Sequence, residues 1–140
     1  MKDCIFCEII EKKLPASIVY EDDRALAFMD LRPVNIGHVL IIPKIHRPYL
    51  HELEVDLGAH LFKITMEIER AVRASGLPLE GSNILQNNGA VAFQEVFHVH
   101  LHVIPRLEAD KGRFLSRVRP FPTREELNET AEKIKAKLAI

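Results

Sequence analysis

Cysteine is scarce in this 140-residue chain: Cys4 and Cys7 are the only two, and both fall within the first ten residues. No apolar run approaches the roughly 20 residues of a membrane span. The apolar stretch in MKDCIFCEII is too short and too interrupted by charge for a secretory signal. A cytoplasmic protein without a membrane partner is therefore expected, and in that compartment the two thiols stay reduced. A surplus of one charge sign is missing too. With 19 Lys and Arg against 20 Asp and Glu, the formal net charge is -1. That leaves phosphate ligands open but gives no support for a stable nucleic-acid partner. Repeats, low-complexity tracts and linkers are also absent. One domain is expected, with 47% hydrophobic residues and roughly two-thirds of its unfolded surface buried.

What is present is organised by periodicity. Residues 4–11 read as a short helix closed by KKLPAS. SIVYE and ALAFMD read as strands joined across Asp22-Asp23, GHVLIIP as a third strand and SNILQN as a fourth. Leu57, Leu61, Ile64, Ile68 and Val72 carry helical spacing over 57–74, with Asp56 as the candidate N-cap and Gly76 just past the end. A tail helix starts at TREE, where Thr123 and Glu126 have capping-box spacing, and Leu127, Ala131, Ile134 and Leu138 form its stripe. The pattern predicts an α+β fold with a mostly antiparallel five-stranded sheet, one long helix and a C-terminal helix. Between the last strand and the tail lies RLEADKGRFLSRVRP, with five basic residues against two acids. It reads either as a solvated loop or as a segment that approaches phosphate oxygens.

The fifth strand raises the functional question. FHVHLHVIPR, residues 97–106, places His98, His100 and His102 at alternate positions. A period of two puts the imidazoles on one strand face and Val99, Leu101 and Val103 on the other. Two chemistries suit three imidazoles in phase. They can ligate a hydrolytic metal, three ligands with an open water position. Alternatively, one neutral imidazole can attack phosphorus and form a phosphoramidate while its neighbours hydrogen-bond the non-bridging oxygens. The uncharged amides of Asn87 and Gln94 nearby suit hydroxyl and phosphoryl oxygens, and Glu95 is the one obvious carboxylate. That balance favours the nucleophile.

His98-Val-His100-Leu-His102-Val-Ile resembles the signature of the histidine triad family of nucleotide hydrolases and transferases. CIFCEII, LPASIVYEDDRALAFMDLRPVNIGHVLIIPKIH and the segment 87–106 resemble further family blocks in the same order, so the likeness spans residues 4–106. The resemblance implies a histidine triad domain over 1–106. Residues 107–140 then form a basic loop and helix packed on the same domain. It also implies a sheet that continues across a homodimer, pairing helix 57–74 and strand 83–86 about a two-fold axis.

Its functional implication is attack by His100 on the α-phosphate of a purine nucleoside phosphoramidate or dinucleoside polyphosphate, with no metal at the attacked phosphate. His102, Gln94 and loop amides would hold the phosphate, and His38 would orient His100. Asp30 would accept from both ribose hydroxyls, with Asn87 near the ribose and phosphate. Ile5, Phe6, Ile9 and Phe28 would wall the base, although each also reads as core. Cys4-x-x-Cys7 is a zinc half-site, and the resemblance implies completion by His46 and His98, a structural zinc. Rival readings are a nucleotide-binding scaffold with weak turnover and a metal-dependent hydrolase using the three histidines as ligands.

Several positions depart from the family pattern. Phe93 stands where many relatives have glycine. Glu95 replaces a Ser or Thr that touches the phosphate or leaving group, and an inward carboxylate there would repel phosphate. The chain has no Trp, unlike the Trp-containing terminus of the well-known phosphoramidate hydrolases. Retention of His102 argues against the uridylyltransferase branch. No cysteine follows Cys7, so the zinc finger of the DNA-repair branch is missing.

Overall fold

A computed structural model describes residues 3–110, 116–117 and 119–140. Helix α1 spans Ile5–Ile10, and strands β1 (Ile18–Glu21), β2 (Ala25–Met29) and β3 (Val39–Pro43) follow as antiparallel neighbours. Helix α2 (Val55–Ala74) leads to β4 (Gly81–Gln86) and β5 (Leu101–Arg106), and α3 (Arg124–Lys135) closes the order. The strands lie β1-β2-β3-β5-β4, every pairing antiparallel. This is the α+β, five-stranded arrangement the sequence predicts.

The β1–β2 turn forms because Asp22 accepts at Oδ1 from the backbone N–H groups of Arg24 and Ala25, both at 2.8 Å. Such an Asx interaction substitutes for a backbone turn bond. Alternation along the strands then sorts two cores. One strand face carries Ala25, Ala27, Met29, Val39, Ile41, Leu101 and Val103 against the stripes of α2 and α3. The opposite face carries Leu26, Phe28, Leu40 and Ile42 against Phe6, Cys7 and Ile9 of α1. The tail helix buries Leu127, Ala131 and Ile134 in the first cluster, and Thr123 and Glu126 close the expected capping box.

Two sequence expectations need correction. Helix α2 starts at Val55, with Glu54 in the N-cap position and no side-chain cap bond. Asp56 instead lies in the first turn, where a carboxylate complements the exposed N–H groups without bonding one. The histidine strand is also shorter than expected, beginning at Leu101, so only His102 of the triad lies within it. His98 and His100 precede the ladder. There Val99 donates to the Arg47 carbonyl at 2.8 Å, and the His98 carbonyl is taken by a side chain. Alternation survives even so: Val99 joins the α2–α3 core while the imidazoles lie on the α1 side.

No helix of the described residues is long and apolar enough to cross a membrane.

Candidate active site

Cys4 N-caps α1, its Sγ accepting from the Cys7 backbone N–H at 3.4 Å, so the helix start itself gathers two thiols. His98 Nδ1 lies 3.3 Å from Cys4 Sγ and 3.6 Å from Cys7 Sγ. His46 Nδ1 lies 3.4 Å from Cys7 Sγ and 3.2 Å from His98 Nδ1. These spacings suit the edges of a tetrahedron around zinc, about 3.3–3.8 Å for bond lengths of about 2.0–2.3 Å. The donor chemistry fits as well. His98 Nε2 donates to the Pro43 carbonyl at 2.8 Å, which leaves Nδ1 with a lone pair turned toward the thiols. Burial holds His98 down at about 4, against the opposing effect of that carbonyl bond, so the imidazole stays neutral. Burial and the adjacent Cys4 raise the Cys7 thiol.

Beside this cluster opens a cavity of about 640 Å³. Ile5, Phe6, Ile9 and Phe28 form an apolar wall, and Asp30, His38, His100, His102 and Asn87 line it as well. Each imidazole has its tautomer set by a partner. His100 Nδ1 donates to the His98 carbonyl at 2.7 Å, leaving the Nε2 lone pair free, and its ring meets Phe6 edge-on at 5.1 Å. His38 Nδ1 accepts from the Val34 backbone N–H at 3.1 Å, so its proton is on Nε2. That Nε2–H points to His102 Nδ1 at 2.9 Å, with Asp30 Oδ2 at 3.4 Å. His102 therefore carries its own proton on Nε2, a buried atom without a partner among the described residues.

Burial keeps these rings neutral: it lowers His38 to about 3 and His102 to about 2, and it lowers His100. The site thus combines a bare imidazole nitrogen with a buried N–H donor on the neighbouring ring, 4.9 Å away between centroids. The three triad imidazoles do not converge on one point. Among the described residues, His98 groups with Cys4, Cys7 and His46, while His102 groups with Asp30 and His38.

Asp30 follows β2. Its Oδ1 accepts from the Arg32 backbone N–H at 2.8 Å, and burial raises its pKa against the pull of that bond and of Arg117. Gly37 makes the chain reversal before His38 possible, at φ +94°, where an added Cβ would meet Pro105 Cγ at 3.1 Å. Only glycine combines that backbone with that clearance.

Gln94 is not brought to the cavity. Its Oε1 accepts from the Gly89 N–H at 2.7 Å and its amide donates to the Pro48 and Val96 carbonyls at 2.8 and 3.1 Å. It braces the 89–96 loop from beneath. Phe93 adopts a left-handed backbone, φ +71°, a conformation glycine would adopt without steric cost, and its ring is exposed on the rim. Glu95 points largely to solvent, its side chain 76% exposed.

Sequence reasoning missed Arg117. Of the basic connection, Lys111 and Arg113 lie outside the described residues, Arg106 reaches Asp110, and Arg119 lies over Phe121. Arg117 alone turns into the cavity, with Nη1 3.1 Å from Asp30 Oδ2. The surplus of basic residues was the only signal, and it could not single out one of five.

The family model of the HIT domain matches residues 11–109. Protein hit of Bacillus subtilis is 45% identical over 111 residues, covering 79% of this chain and 76% of that protein. An adenosine 5'-monophosphoramidase of Saccharomyces cerevisiae is 38% identical over 109 residues, 78% of this chain and 66% of its own length. Among solved structures, a zinc-bound histidine triad family protein from Mycobacterium smegmatis superposes with a TM-score of 0.85 at 39% identity, over 99% of this chain and 94% of that one. The family match over residues 11–109, the identity to these relatives and the superposition show that the chain belongs to the HIT domain family.

Proposed function

We propose that this protein is a nucleotide hydrolase that transfers a nucleotidyl group to His100 Nε2 and then to water. The observation that carries the reading is the tautomer of His100: Nδ1–H is held by the His98 carbonyl, so the cavity-lining ring keeps a nucleophilic Nε2. Attack forms an Nε2–P bond at the α-phosphate. The bond to the leaving group breaks, and its electron pair departs with that group. Water then attacks phosphorus and frees His100. His102 Nε2–H, buried and unpartnered, is the donor for a non-bridging oxygen as charge shifts onto it. His38 fixes that donor through its own Nε2–H, which makes it a donor and unsuited as a metal ligand at this point.

Asp30 would take the ribose hydroxyls and Asn87 the adjoining edge of the nucleotide. Ile5, Phe6, Ile9 and Phe28 would take a purine base, the base class supported by the yeast relative named for adenosine 5'-monophosphoramide. The substrate is a purine nucleoside phosphoramidate or dinucleoside polyphosphate. Gln94 acts through the loop it braces. Cys4, Cys7, His46 and His98 would hold a structural zinc, which ties the N-terminal helix to the segment carrying His100. A cytoplasmic setting keeps those thiols available as ligands. The protein acts as a homodimer through α2, where Phe62 and Met66 are about half exposed, and through the free edge of β4.

Quenched reactions with an adenosine phosphoramidate test the reading. A nucleotidyl group should be trapped, acid-labile, on the 87–106 peptide of the wild type and be missing from His100→Ala, which should fold and bind AMP. Full turnover by His100→Ala refutes it, and AMP binding without product in the wild type would leave a binding protein.

A further inference from the structure

Among the described residues of the connection between β5 and α3, Arg117 alone lines the cavity. Its guanidinium joins the two walls of the mouth. Nη1 lies 3.1 Å from Asp30 Oδ2 and donates to the Arg32 carbonyl, while Nη2 lies 3.4 Å from Glu95 Oε2. The other lining arginines are engaged elsewhere. Arg124 donates to Ser17 Oγ at 2.8 Å, and the Arg32 guanidinium lies over the Phe121 ring at 5.8 Å. The imidazoles deeper in the cavity supply a nucleophile and an N–H donor but no fixed positive charge, because burial keeps them neutral. Among the described residues, Arg117 is then the cation placed between Asp30 and Glu95, where an anionic substrate would enter. The guanidinium charge is felt by His38 and His102, both of which it pushes down.

Depth decides which anionic group Arg117 meets. The three imidazoles are 1–8% exposed, whereas the Arg117 side chain is 28% exposed and stands nearer the mouth. Resting on the nucleotide-hydrolase reading, we propose that Arg117 binds a second anionic group attached to the α-phosphate, and so selects nucleotides with an anionic leaving group over those with a neutral amine. When ribose hydroxyls take Asp30, Nη1 is released toward that group while Glu95 still steadies Nη2. A planar guanidinium suits this task better than an ammonium, since it holds a carboxylate and a phosphoryl oxygen at once.

The test is calorimetric binding of adenosine, AMP and ADP to zinc-loaded protein, in a His100→Ala background so that turnover does not intervene. Adding Arg117→Gln should weaken ADP by about 10–100-fold, weaken AMP less and leave adenosine within about twofold. Arg117→Lys should recover part of the ADP loss. With His100 intact, Arg117→Gln should lower kcat/KM for a diadenosine polyphosphate more than for an adenosine phosphoramidate. Equal losses for all three ligands would make Arg117 a structural strap and overturn the proposal, as would unchanged ADP binding. If the protein without the Arg117 change binds none of the three and the wild type turns over neither substrate, the nucleotide reading itself has failed.

Discussion

Acidification probes the hydrogen-bonded pair at the centre of the site. His38 and His102 are neutral in the fold, at about 3 and about 2, because burial opposes their charge. In the unfolded chain each titrates at about 6.5. Between these values the unfolded state binds more protons, so stability rises with pH and is lost as pH falls below about 6.5. Each group contributes about 1.4 kcal/mol per pH unit, so the pair removes about 4 kcal/mol between about pH 6.5 and pH 5. That is a large share of a typical folding free energy of about 5–15 kcal/mol.

His102→Gln isolates one member of the pair. The amide can accept from His38 Nε2–H as the imidazole does, but it does not titrate. Urea unfolding followed by far-UV circular dichroism, at about pH 7.5 and about pH 5, should show the variant gaining about 2 kcal/mol on the wild type across that interval. The zinc ligands and Asp30 are common to both proteins and cancel in the difference. Parallel stability profiles for the two proteins would refute the assignment of His102 as a buried neutral base.

Chelation of the zinc-loaded protein, or Cys7→Ser, should abolish a content of about one zinc per chain. Stability should fall by about 4 kcal/mol where free zinc had stood near a thousandfold over its dissociation constant. Gly89→Ala should cost about 1–3 kcal/mol, read by thermal melting. The strain is the whole cause, since Gly89 has φ +95° and nothing lies within 4 Å of an added Cβ. Light scattering at micromolar concentration should give a dimer mass. Phe62→Glu with Met66→Glu should shift it to monomer, and unchanged mass would move the interface elsewhere.

Most of the fold was legible because its signals are local. Continuous apolar runs such as Ala25–Met29 and Val39–Pro43 mark strands buried on both faces, and the Leu61, Ile64 and Ile68 spacing marks a helix packed against one of them. The Thr123–Glu126 box is equally local, since both partners lie within one turn. The three alternating histidines are equally local, and the structure places all three imidazoles on the α1 side of the sheet, His98 beside the two thiols and His100 and His102 lining the cavity.

Tertiary structure decided which atom of each imidazole does what. The tautomers rest on the His98 and Pro43 carbonyls and the Val34 N–H, backbone groups that every residue carries and no sequence pattern advertises. Gln94 turned under its loop because three backbone partners there outcompeted the cavity. Arg117 reached Asp30 across 87 positions of sequence, a contact that depends on chain path rather than spacing. Periodicity fixes which face a side chain leaves from. Where it ends, and which proton it carries, depends on groups that only folding brings alongside.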